Sequence, residues 1–126
     1  MDHYHEVETQ TTGEVYAAIE RDDPKELLLV PISVSMTHPN LEWSQEICLK
    51  LAKHQDSQVR GNAVLGFGHL ARRFGKLNKE AVLPVIESAL AESDQIVNGQ
   101  AWAAADDVSH FLGWKVAGFD AESDVE

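Results

Sequence analysis

Cysteine is nearly absent from this chain of 126 residues, in which Cys48 is the single copy. One cysteine cannot form an internal disulfide, the usual staple of small secreted domains. Cys48 also falls on the predicted apolar face of a helix, where a free cysteine behaves as a small hydrophobic side chain. We therefore expect a core that is held by apolar packing in a reducing compartment.

Basic side chains are also scarce, since 10 Lys and Arg stand against 21 Asp and Glu, for a formal net charge of −11. The excess is concentrated at the two ends: residues 1–10 hold three acids and no Lys or Arg, and residues 113–126 hold four acids and one lysine. A nucleic-acid-binding face needs cations to neutralise phosphates, so nucleic-acid binding is not expected. A basic protein partner is the better electrostatic match, and the alternative is that the acidic ends serve only solubility.

Long apolar runs and catalytic motifs are missing as well. No uninterrupted run of about 18 apolar residues exists, so a transmembrane helix is not expected, and the first residues lack the basic and apolar regions of a secretory signal. There is no Gly-rich phosphate loop, no HExxH motif, no cysteine cluster and no nucleophile elbow. The expectation is a single cytoplasmic domain that is not an enzyme, has no cofactor or metal, and binds no membrane.

What the chain does contain is an internal repeat. The segment 56–75 (DSQVRGNAVLGFGHLARRFG) returns 38 residues later as 94–113 (DQIVNGQAWAAADDVSHFLG), and 40–54 aligns with 78–92 at the same spacing. Four apolar pairs in the shorter segments fall at i, i+1, i+4 and i+5, which is one face of a helix. Each unit therefore predicts a shorter helix, a turn, and a longer helix that ends at a glycine. One such hairpin cannot bury its own apolar face, so the units must stack.

Residues that are identical in the two copies have clear structural uses. Asp56 and Asp94 are suited to cap the longer helices, because a carboxylate accepts the free amides of the first turn. The closing glycines lie where a left-handed residue ends a helix. Gly61 and Gly99 have no side chain, and we expect both to let neighbouring helices approach closely.

The D-x-x-V-R-x-x-A pattern that begins at Asp56 resembles the HEAT-repeat signature, which marks one helix of each unit. The second copy differs, because Asn98 stands in place of Arg60. In HEAT arrays that arginine joins a polar ladder with aspartates of adjacent units, so the resemblance implies that the ladder ends at the last unit. The resemblance covers about 22–113. It implies an all-α fold, namely a short, right-handed HEAT-like α-solenoid of about six helices arranged in antiparallel hairpins.

Helix signals also occur before the repeat. Thr11 and Glu14 form a capping-box pattern at the start of a short helix. A second helix is expected at Asp22-Asp23-Pro24, because aspartate caps well and proline is favoured at the first helical position. Pro31 should kink that helix, since it lacks an amide donor.

The chain is thereby divided into a flexible segment over 1–10, a HEAT-like helical domain over 11–112 and an acidic tail over 113–126. The last predicted helix has no following unit to cover its apolar face. We expect the cover to come from three side chains just after it, namely Trp114, Val116 and Phe119.

Candidate partner-binding residues are acidic or aromatic side chains. Carboxylates suit a basic partner, and tryptophan is frequent among interface hot spots. Asp106 and His110 are i, i+4 neighbours, for which a hydrogen-bonded pair, a partner contact and a catalytic role are all open. The full candidate set is Glu42, Trp43, Glu46, Glu80, Glu87, Trp102, Asp106, Asp107, His110 and Trp114.

A small, acidic HEAT-like stack without catalytic groups resembles bacterial immunity proteins, which bind and neutralise a cognate toxin. The resemblance implies a basic protein partner, namely a toxin domain of the nuclease type, because the active sites of such toxins are basic. The alternative is a HEAT-type adaptor or maturation scaffold, similar to bilin lyases, that binds a small molecule or a client protein.

Overall fold

The computed structural model describes residues 10–119, and all regular secondary structure in this range is α-helical. The described helices are α1 (Thr12–Arg21), α2 (Pro24–Leu27), α3 (Val30–Thr37), α4 (Leu41–Leu51), α5 (Ser57–Phe74), α6 (Lys79–Leu90) and α7 (Gln95–Leu112). A two-residue turn separates α2 from α3, so these two form one interrupted helix and the total agrees with the expected number of about six. Residues 1–9 of the predicted flexible segment and residues 120–126 of the predicted acidic tail lie outside the described range.

The starts of the two long helices are confirmed as predicted. The Asp56 carboxylate accepts the amides of Gln58 and Val59 at 2.9 and 3.1 Å. The Asp94 carboxylate does the same 38 residues later, accepting the amides of the second and third residues of α7 at 2.9 and 3.2 Å. Each cap satisfies two amides that the helix itself cannot pair.

The remaining boundary signals are also confirmed. Gly75 and Gly113 end α5 and α7 in the left-handed region, each with φ near 70°. Thr11 and Glu14 form both hydrogen bonds of the capping box at the start of α1. Asp23 caps α2, with proline at the first helical position.

The helix predicted to begin at Pro24 is interrupted just before Pro31, the residue that was expected to kink it. The helix is interrupted at Leu28 and Leu29, although both residues keep right-handed helical dihedral angles, and Pro31 is the second residue of α3. At that position the missing amide would have no partner within the helix, so proline costs little there.

Helix α5 lies at the centre of the packing. It contacts α3, α4, α6 and α7, while α4 also packs on α3 and α6 also packs on α7. The largest fully buried side chains of α5 are Phe67, Leu70, Val59 and Val64, and they join one apolar cluster with residues from all the other helices. Among the described residues, no helix has both the length and the apolar character needed to cross a membrane.

Glycines allow α7 to approach α5 closely. A Cβ added at Gly61 would lie 3.2 Å from Gln100 Cγ, and one added at Gly68 would lie 2.6 Å from Asp107 Oδ2 and 3.3 Å from the backbone of Ala104. The expectation for Gly99 is wrong, because a Cβ there meets nothing within 4 Å. Gly99 faces the side of α7 on which no described helix packs.

The contrast between Gly68 and Gly99 gives a test of this packing. Gly68→Ala should destabilise the protein by about 1–3 kcal/mol, because the backbone of Ala104 cannot move away locally. Gly99→Ala should instead stabilise it by about 0.5–1 kcal/mol, because alanine is the better helix former and the space is open. Urea unfolding followed by circular dichroism measures both changes, and equal effects of the two substitutions would contradict the described α5–α7 contact.

Candidate functional site

Arg60 is used to hold the helices together. Its guanidinium donates to both carboxylate oxygens of Glu92 at 3.0 and 2.9 Å and to the His54 carbonyl at 2.9 Å. The bidentate bond to Glu92 raises the pKa of Arg60. The expected ladder partners, aspartates, act here only through their charge, and Asn98 donates to the Leu90 carbonyl at 2.8 Å instead. Arg60 and Glu92 are therefore structural and are not free to bind a partner.

A second polar ladder joins the successive long helices. The Asn62 amide donates to the Leu28 carbonyl at 2.9 Å, and its oxygen accepts from Gln100 at the same distance. Asn62 and Gln100 are 38 residues apart, the period of the repeat. These bonds join α7 to α5 and α5 to the end of α2.

The predicted acidic site residues divide into engaged and free carboxylates. Asp107 pairs with Arg72 at 3.0 Å, and Glu87 accepts the amide of Ala117 at 2.8 Å. Within residues 10–119, five carboxylates make no hydrogen bond or ion pair: Glu20, Glu42, Glu46, Glu80 and Asp106. A free carboxylate keeps its full capacity to accept hydrogen bonds from a cationic partner.

An aromatic contact fastens α1 to the start of α4. The Trp43 indole N–H donates to the Tyr16 hydroxyl at 2.8 Å, and the two rings meet edge to face with centroids 6.0 Å apart. The His38 ring lies 4.5 Å from the Trp43 ring. Tyr16 nevertheless remains 53% exposed, so its ring is positioned by one neighbour and open to a partner.

Beside Tyr16 lies a groove of about 490 Å³, which we call the α1–α4 groove; its lining residues are Tyr16, Ile19, Glu20, Glu46, Ile47 and Lys50. Two of the five free carboxylates, Glu20 and Glu46, line it from opposite helices. Lys50 is the single base among the lining residues. The groove thus combines an aromatic ring, aliphatic side chains and two carboxylates.

The acidic face continues from α4 towards α6. Glu80 occupies the position in α6 that Glu42 occupies in α4, 38 residues earlier, and both are exposed. A smaller groove of about 270 Å³ lies beside Glu42 and is lined by residues that include Glu42, Gln45 and Lys76. The Glu87 carboxylate, in contrast, accepts a hydrogen bond from the segment that follows α7.

The candidates on α7 lie apart from those on α4 and α6. Trp102 is 44% exposed, and its ring lies 4.7 Å from that of Phe119. His110 contacts the adjacent Phe111 ring at 4.6 Å and makes no hydrogen bond to Asp106. The hydrogen-bonded interpretation of the Asp106–His110 pair is therefore wrong.

The segment after α7 covers part of the last helix, as predicted. Val116 is 7% exposed and belongs to the core, while Trp114 and Phe119 are partly buried against it. The Lys79 ammonium lies 5.9 Å above the Trp114 ring. Trp114 is thus used in packing, and Trp102 keeps the larger exposed surface of the two.

Two residues of the α1–α4 groove, Tyr16 and Glu20, were missed from the sequence. They are i, i+4 neighbours on the exposed face of α1, and that spacing was a signal that could have been used. Their relation to Trp43 and Glu46 depends on how α1 packs, which no local pattern shows.

The structure also bears on chemistry at Cys48. Its thiol is fully buried, as expected, and burial raises its pKa to about 12. A thiol with so high a pKa stays protonated and is a poor nucleophile. In the part of the chain that the structure describes, no group of three or more His, Cys, Asp or Glu side chains could hold a metal ion.

Comparison with known proteins gives one informative match. No protein-family model and no curated protein matches the chain. A chain in the crystal structure of a CDI complex from Cupriavidus taiwanensis LMG 19424 has a TM-score of 0.73 and 24% sequence identity, and the match covers 88% of this chain and 98% of that chain. At this level of identity the match establishes a shared fold.

His69 gives a test of how the α5–α7 contact depends on pH. Burial, and next the nearby Arg72 charge, lower the pKa of His69 below its ordinary value of 6.5, although Asp107 opposes them. Because the unfolded chain takes up this proton more readily, the free energy of unfolding should fall as the pH is lowered through 6.5.

His69→Gln should weaken this dependence, since glutamine does not titrate. Urea unfolding between pH 7.5 and 5.5 measures the slope for both proteins. If the free energy of unfolding depends on pH equally in the His69→Gln variant and the unsubstituted protein, His69 is not the group that causes the dependence.

Proposed function

We propose that this protein is a bacterial immunity protein that binds a cognate toxin and neutralises it by occlusion, without catalysis or a cofactor. The shared fold with a chain of a CDI complex carries the proposal. We take CDI to denote contact-dependent inhibition, in which a toxin is paired with an immunity protein. The matched chain is almost completely covered, so the likeness involves a whole small chain and not a shared fragment of a larger one.

The proposal includes a HEAT-like arrangement of the helices. Its support is the 38-residue spacing of the aspartate caps, the closing glycines and the Asn62–Gln100 ladder. The position of α5 between α3 and α7 agrees with stacked hairpins. A rigid stack of this kind presents its outer helices as one extended binding face.

The proposed partner is basic. The chain has a formal net charge of −11, and the free carboxylates of α1, α4 and α6 lie on exposed faces. A toxin that cleaves nucleic acid must attract phosphates, so its active site carries positive charge. An acidic inhibitor would cover that site and associate rapidly through long-range attraction. The proposal places the complex in the cytoplasm, a reducing compartment that suits a single free cysteine.

Co-expression with the product of the adjacent upstream gene tests this function. We expect the neighbouring protein to arrest growth when expressed alone, and growth to be restored when this chain is expressed with it. The two proteins should co-purify, and raising the salt concentration should slow their association because screening weakens steering.

The control is an unrelated acidic protein of similar size, which should give no protection. A neighbouring protein that is harmless, or that forms no complex with this chain, would overturn the immunity function.

A further inference from the structure

We propose that the α1–α4 groove receives an arginine side chain of the basic partner, with Tyr16 as its aromatic wall and Glu20 and Glu46 as its carboxylate acceptors. The inference rests on the proposed function for the identity of the partner. It adds the surface that binds and the chemical group that is bound.

The carboxylates supply the charge complementarity. Glu20 projects from α1 and Glu46 from α4, and both line the same groove of about 490 Å³ without an ion pair among the described residues. A guanidinium that enters the groove can donate to these carboxylates, and charge-assisted bonds of this kind are about twice as strong as neutral ones. Lys50 also lines the groove, and its positive charge opposes the binding of a guanidinium there.

The aromatic wall favours arginine over lysine. The planar guanidinium stacks on aromatic faces as well as pairing with carboxylates. Tyr16 is held in place by the 2.8 Å bond from Trp43, so little side-chain entropy is lost when a partner packs on it. Ile19 and Ile47 line the groove beside it and can cover the methylene stem of the entering side chain.

The exposed side of α7 is the competing surface. It offers one free carboxylate, Asp106, near Trp102, whose ring is in contact with Phe119. The α1–α4 groove instead places two free carboxylates and an exposed, fixed tyrosine around one concave space. Charge and shape therefore coincide at the groove.

Titration of the full, ¹⁵N-labelled chain with an end-blocked hexa-arginine peptide tests the groove without the toxin. The chain has three tryptophans, so three indole N–H resonances can be followed. We expect the Trp43 resonance to shift on addition of peptide, because its hydrogen bond to Tyr16 lies at the groove, while those of Trp102 and Trp114 stay in place. A shift confined to Trp102 would overturn the inference and assign the cation to α7.

Matched substitutions test whether the peptide binds to the groove specifically or only to the overall negative charge of the protein. Glu20→Gln with Glu46→Gln should weaken peptide binding by about tenfold or more, since two charge-assisted bonds are lost. Glu80→Gln with Asp106→Asn removes the same charge elsewhere and should weaken it by less than about twofold. Lys50→Gln should strengthen binding, because the opposing charge is removed. Equal weakening by the two double substitutions would overturn the groove as a specific site.

The same variants distinguish this inference from the proposed function. If the upstream gene product binds the chain and the Glu20→Gln, Glu46→Gln variant binds it equally well, the immunity function stands and the groove assignment fails. If the peptide binds the groove and no toxin partner exists, the groove assignment stands and the immunity function fails. Circular dichroism of each variant confirms that a loss of binding is not a loss of folding.

Discussion

The close packing of α5 between its neighbours is the constraint on which the rest of the structure depends. Gly66 and Gly68 are two positions apart on the helix, so they face different sides. A Cβ at Gly66 would lie 2.8 Å from Cys48 Sγ on α4, and one at Gly68 would lie 2.6 Å from Asp107 Oδ2 on α7. Helix α5 can be held this tightly on both sides only because neither position has a side chain, and α3, α4 and α7 are oriented by their contact with it.

This packing determines how the charged residues are used. Arg60, Arg72 and Arg73 all bond to neighbouring elements, to Glu92, Asp107 and the Ser35 carbonyl respectively. The arginines of the central helix are thereby paired with neighbouring elements, while five carboxylates on the other described helices are left unpaired. The unpaired carboxylates of α1 and α4, Glu20, Glu42 and Glu46, are exposed, and such groups suit a basic partner.

Much of the fold could be predicted because its signals are local. Each capping aspartate contacts amides two and three residues later, and each closing glycine depends on its own φ. The errors occur where distant elements meet. Gly99 repeats Gly61 in the sequence but has no helix beside it.

The candidate surface was predicted only in part. Trp43 and Glu46 were selected on α4, but the residues that complete their surroundings, Tyr16 and Glu20, come from α1. The hydrogen bond between Tyr16 and Trp43 joins residues 27 positions apart. Asp106 and Asp107 are neighbours in the sequence, yet only Asp107 is paired, with an arginine 35 positions away.

The sequence by itself determined the helical class, the repeat period and nearly every helix boundary, because hydrophobic spacing and capping act over a few residues. The tertiary structure alone decided which carboxylates are free, which aromatic rings are exposed and where a groove forms. Those properties depend on which distant side chains occupy the space around each group, and that is settled only when the helices pack.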